Sequence, residues 1–108
     1  MNNPLYESMP TIKSLGGKYS IYKDRIELKH PLLKDFIIKK EDLISIKVFY
    51  PPVIKTIFKN KALSLKLDLA DINVHVGIKR KNGIFKYLRF TPKNPEEFVS
   101  KVKEIFNL

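Results

Sequence analysis

The chain has 108 residues, a net charge of +10 from 21 Lys and Arg against 11 Asp and Glu, and no cysteine. One domain is the default at that length, and disulfides and cysteine-ligated metals are excluded. No apolar run reaches the roughly 20 residues of a membrane span and no signal-peptide pattern opens the chain, so a soluble, cytoplasmic protein is expected, with the membrane periphery as an alternative location.

A hydrophobic content of 44%, with seven Phe and five Tyr, suffices for a core. The charge has two readings. It suits an anionic partner such as a phospholipid surface, nucleic acid or an acidic protein. It also suits a merely lysine-rich composition, because the lysines are scattered and Arg occurs only as Arg25, Arg80 and Arg89.

Residues 1–16 show no sustained period and are punctuated by Pro4, Pro10 and Gly16-Gly17. They read as an N-terminal arm or linker, partly apolar through Leu5, Tyr6, Met9, Ile12 and Leu15, ahead of a domain over residues 17–108. From Lys18 to His30 a hairpin is predicted. A tight loop at Lys23-Asp24 pairs Ile21 with Ile26 and Tyr19 with Leu28, all on one face. Phe36 to Lys39 forms a third strand. Ile44, Ile46, Val48 and Tyr50 alternate as a fourth, stopped by Pro51-Pro52. Val53 to Lys61 fits either a short amphipathic helix or an ordered loop.

Leu63, Leu65, Leu67 and Leu69 alternate with polar residues as a fifth strand. A turn at Ala70-Asp71 then sets Leu67 against Val74 and Leu65 against Val76. The sixth strand carries Val74, Val76 and Ile78. The seventh follows Asn82-Gly83 and carries Ile84, Leu88 and Phe90. A three-residue loop, Lys81-Asn82-Gly83, with Gly83 in a left-handed bulge, sets Val76 against Leu88 and Val74 against Phe90. Asn94-Pro95-Glu96-Glu97 is a helix start, with Asn as cap and Pro at the first position. Phe98, Val99, Val102, Ile105 and Phe106 share one face of the helix that follows.

The count is seven strands, four and three about the Pro-Pro break, then one helix. The simplest closure is a mostly β fold: a seven-stranded antiparallel sandwich or partly open barrel capped by the C-terminal α-helix. That order, with the phrases Tyr22-Lys23-Asp24-Arg25-Ile26-Glu27-Leu28, Glu41-Asp42-Leu43-Ile44-Ser45-Ile46 and Arg89-Phe90-Thr91-Pro92-Lys93-Asn94-Pro95-Glu96-Glu97-Phe98, resembles the prokaryotic pleckstrin-homology-like (PH-like) domains. The resemblance covers Lys18 to Phe106. It implies a sandwich that hosts lipid binders, peptide binders and plain scaffolds. It also implies a phosphate-binding set at the first hairpin, where Lys18, Lys23 and Arg25 match the lipid-binding pattern in type and order. The loop here departs from that pattern, being tight and containing Asp24.

No catalytic or cofactor motif stands out. His30 and His75 have no metal-ligand spacing, Gly16-Gly17 is not a phosphate loop, and no serine sits in a nucleophile motif. The candidate anion- or lipid-binding residues are Lys18, Lys23, Arg25, Lys55, Lys59 and Lys61, the last three flanking an apolar Ile54, Ile57 and Phe58. The alternative is a solvated hairpin tip and a folded-back loop. The candidate partner surface is His75, Lys79, Phe85, Tyr87 and Arg89, aromatics among cations on the outer face of the late hairpin. Its alternative is local packing, with Tyr87 covering Gly77 and Lys79 lying over Phe85. The expectation is a non-enzymatic module for protein interaction or self-assembly, with no cofactor. Peripheral binding of anionic membrane lipids is the alternative, and nucleic acid comes third.

Overall fold

The structure, a computed structural model, describes residues 3–50 and 64–108. The prediction over Val53 to Lys61 lies outside the described residues. Among those described the chain is mostly β, with eight strands in two four-stranded sheets and one C-terminal helix. The first sheet is a meander of β1 (Tyr6–Ser8), β2 (Lys18–Ile21), β3 (Arg25–His30) and β4 (Leu33–Lys39). The second holds β5 (Leu43–Phe49), β6 (Ser64–Lys66), β7 (His75–Arg80) and β8 (Tyr87–Phe90), in the order β5-β7-β8-β6. Helix α1 spans Pro95–Phe106.

The β2–β3 hairpin has the expected register, Ile21 opposite Ile26 and Tyr19 opposite Leu28, closed by the Tyr22 N–H donating to the Arg25 carbonyl at 2.8 Å. Tyr19, Ile21, Ile26, Leu28, Phe36 and Ile38 of the first sheet meet Ile46, Val76, Ile78, Leu88 and Phe90 of the second in one core. The helix closes that core. Asn94 Oδ1 accepts from the Glu97 N–H at 3.2 Å, and Phe98, Val99, Val102 and Phe106 are buried. Glu96 and Lys103 face solvent and Lys101 is partly exposed. The Phe98 ring meets Phe90 edge-on at 5.3 Å and Tyr6 at 5.9 Å.

Four expectations are corrected. First, the described residues form eight strands rather than seven. Tyr6–Ser8, in the stretch read as an arm, pairs antiparallel with β2. It is pinned to the helix end by the Tyr6 hydroxyl, which donates to Glu97 at 2.6 Å, and by Ser8 Oγ, which accepts from the Lys93 N–H at 2.6 Å. Second, β5 belongs to the second sheet, antiparallel to β7, so the strands do not divide four and three at Pro51-Pro52. Third, β6 does not turn back onto β7. It lies parallel to β8, with Leu65 beside Leu88. Both edges of β7 are already filled by β5 and β8. The chain from Leu67 to Val74 instead makes an excursion through a 3-10 turn at Ala70–Ile72 and a buried Asp68. Fourth, the β7–β8 register is two residues longer than expected: Val76 faces Phe90 and Ile78 faces Leu88. The loop is closed by the Arg80 N–H donating to the Lys86 carbonyl at 2.9 Å, and Ile84 is left exposed. A shift of two preserves each side chain's face, so the apolar set still points inward. Gly83 keeps the expected positive φ, at +101°.

Candidate interaction surfaces

The first hairpin does not gather its cations. Lys18 opens β2, whereas Lys23 lies in the turn beyond its far end. Lys18 pairs with Glu7 at 3.2 Å. Arg25 is held by its own neighbours: Nε donates to Glu27 at 2.6 Å, Nη1 to Asp24 at 2.8 Å, and the guanidinium lies 3.9 Å from the Tyr22 ring centroid. The Glu27 bond is the chief reason that its pKa is raised. A guanidinium so engaged has little fork left for a phosphate. Lys55, Lys59 and Lys61 lie outside the described residues.

The outer face of the second sheet receives His75, Lys79, Tyr87 and Arg89, as alternation requires, but not as an open patch. His75 is fully buried. Its ring stacks on Phe49 at 5.5 Å and its Nδ1 lies 2.9 Å from the Asn73 carbonyl oxygen. Phe85 was expected to be exposed on this face. It sits instead in the β7–β8 loop and packs against the core. Gly77 is covered by the Phe49 ring, which occupies the space that a Cβ would need, so Phe49 rather than Tyr87 fills that gap. Lys79 lies opposite Tyr87, its Nζ 5.7 Å from the ring centroid. A groove of about 440 Å³ runs between Ile44, Lys47, Phe49, Lys79 and Tyr87. Phe49, Lys66, His75, Tyr87 and Arg89 all hold further interactions, so this face is already engaged.

A second groove lies along β4, the last strand of the first sheet. It encloses about 300 Å³ between Lys34, Asp35, Phe36 and Ile37 on the strand and Arg80, Gly83, Ile84 and Phe85 on the β7–β8 side. Ile37 is 52% exposed and Ile84 79%. The far wall is firm. Arg80 Nε donates to the Phe85 carbonyl at 2.8 Å, its guanidinium lies 5.5 Å from the Phe36 centroid, and Lys86 Nζ donates to the carbonyls of Lys81 at 3.0 Å and Gly83 at 2.7 Å. Desolvation lowers the Arg80 pKa. Compared with protein families, curated proteins and solved structures, the chain shows no significant match. Among the described residues no group of three or more His, Asp or Glu side chains is arranged to hold a metal ion, and no helix is long and apolar enough to cross a membrane.

Sequence reasoning named Phe85 and the Phe36–Lys39 part of the strand opposite it, but missed its first three residues, Leu33–Asp35. The signal was present: Leu33, Asp35, Ile37 and Lys39 alternate with the buried Phe36 and Ile38. Starting the strand at Phe36 hid the exposed half of that pattern.

Proposed function

We propose that the chain is a non-enzymatic, PH-like interaction module that binds by adding a strand to β4, and that its partner is a second copy. One observation carries this reading. Among the described residues β4 is a seven-residue edge strand with one neighbour, β3, and its outward side chains are self-complementary. In an antiparallel pair centred on Ile37, each Ile37 meets its counterpart, and each Asp35 stands directly opposite a Lys39. Opposite charges and large β-branched residues at facing positions stabilise a strand pair by about 0.2–1 kcal/mol each. The new backbone hydrogen bonds supply the rest. The two meanders would continue as one eight-stranded sheet, with Ile84 of each copy alongside the added strand. Edge strands are commonly blunted by lysines or prolines. Here Lys34 and Lys39 flank the edge, but Lys39 has Asp35 as its counterpart in this pairing. The PH-like part of the reading rests on the strand-rich chain and its closing C-terminal helix, and the parallel β6–β8 pair departs from it.

The test is molecular mass by light scattering across a concentration series. The wild-type chain should rise from monomer to dimer. Ile37→Lys, at an exposed position, should stay monomeric and equally folded. A wild-type mass that stays monomeric up to millimolar concentration would remove the self-assembly reading.

A further inference from the structure

Beyond strand addition, the end of the molecule built from the loops before β2, after β3 and before β7 carries an unassigned surface. Each loop presents a large aliphatic side chain at its tip: Ile12 is 88% exposed, Leu32 83% and Ile72 71%. The loops form one unit. The Leu69 N–H donates to the Lys13 carbonyl at 3.2 Å, joining the first loop to the third. Gly16 lies against the Pro31 ring, joining the first to the second. Each tip is also held stiffly. Ser14 Oγ accepts from the Thr11 N–H at 2.9 Å and donates to the Gly17 carbonyl at 3.0 Å. The Leu32 N–H donates to His30 Nδ1 at 3.2 Å. Asn73 Nδ2 donates to the Leu69 carbonyl at 2.7 Å.

Leu15, in the first of these loops, has φ +53° and is itself exposed. A leucine in the left-handed region costs about 1–2 kcal/mol, and glycine or asparagine would relieve it. The fold therefore holds an aliphatic side chain out to solvent where neither packing nor backbone preference asks for one.

We infer that this end docks on an anionic lipid bilayer, with Ile12, Leu15, Leu32 and Ile72 entering the acyl boundary and nearby lysines resting among the headgroups. The three tips stand on three different loops and are the most exposed large apolar side chains of them. They suit a soft apolar phase that needs no matching pocket, whereas a protein partner would need a hollow for each. Exposed Lys13, Lys29 and Lys34 stand beside the tips, and the chain carries +10 overall. Asp35 is an opposing charge nearby, and Lys29 Nζ lies 3.8 Å from Glu27 Oε1. Asp68 is buried and turned to Tyr19 and Thr91. Basic residues at an anionic surface add attraction that fades with salt, while the aliphatic tips add a part that does not.

The test is co-sedimentation of the full chain with phosphatidylcholine vesicles, with and without phosphatidylserine. Wild type should bind the anionic vesicles and retain part of that binding at high salt. The triple variant Ile12→Ser, Leu32→Ser, Ile72→Ser should bind at least about tenfold more weakly, as expected for removing inserted aliphatic area. Its thermal midpoint should stay close to wild type, because these side chains touch solvent. Lys23→Glu, at the opposite end, should bind nearly as wild type does. Because it leaves β4 intact, the triple variant also separates this inference from strand addition. The inference is overturned if wild type ignores anionic vesicles, if the triple variant binds as wild type does, or if Lys23→Glu alone abolishes binding.

Discussion

Tyr19→Phe isolates the polar knot that ties the two sheets together at the end bearing the loop tips. The Tyr19 hydroxyl donates to Asp68 Oδ2 at 2.7 Å. The Thr91 N–H donates to the same oxygen at 2.6 Å, and Thr91 Oγ1 to Oδ1 at 2.8 Å. Tyr19, Asp68 and Thr91 are all buried. Burial is the first cause raising the Asp68 pKa, and the three hydrogen bonds oppose it. Burial and the adjacent carboxylate push Tyr19 far above the phenol range. The variant keeps the ring and removes one donor to a buried charge, a loss of about 2 kcal/mol by the usual worth of such bonds. At this chain length that lowers the thermal midpoint by about 9 °C. The sign of the pH dependence follows. A carboxyl whose folded pKa lies above its unfolded value favours the folded state most when protonated, and that contribution is lost as pH rises from the ordinary carboxyl range through the raised folded value. Removing a donor to the ionised form raises the folded pKa further. The penalty of the variant is therefore full at neutral pH and shrinks as acid neutralises Asp68. Urea unfolding of both proteins at pH 7 and pH 4 reads this directly. A penalty below about 0.5 kcal/mol at pH 7, or one that grows on acidification, would refute the reasoning.

Other outcomes follow from packing. Phe98→Ala should cost about 3–5 kcal/mol in denaturant unfolding, because its fully buried ring meets Phe90 and Tyr6; a melt that barely moves would show that the helix does not close the core. Gly77→Ala should cost about 1–3 kcal/mol, since its Cβ would occupy the space of the Phe49 ring, and Gly77→Ala combined with Phe49→Ala should cost less than the sum of the two.

The parts of the fold that could be read from the chain are those where neighbours in sequence are neighbours in space. Tyr19, Ile21, Ile26 and Leu28 fixed both face and register because only a two-residue loop satisfies all four. Asn94-Pro95 fixed the helix start because cap chemistry is local. Alternation gives a strand's face and says nothing of its partner, so the parallel placement of Leu65 beside Leu88 and the transfer of Ile46 and Val48 to the second sheet escaped it. Tyr6-Glu7-Ser8 is too short between Pro4 and Pro10 to show a period, and its fixing contacts come from Lys93 and Glu97, far along the chain. The surfaces were harder still. His75 and Arg89 look like exposed polar residues by alternation, yet an outer face can be covered. Ile12, Leu32 and Ile72 gave a fainter signal, as aliphatics close to turn residues: Pro10 before Ile12, Pro31 before Leu32 and Asn73 after Ile72.

Amide hydrogen exchange across β4, followed as protein concentration rises, tests strand addition most directly. Added protection should appear at alternate residues of Leu33–Lys39, those whose N–H points away from β3, and Ile37→Lys should abolish it. Protection that is independent of concentration, or gained only outside Leu33–Lys39, would contradict the account.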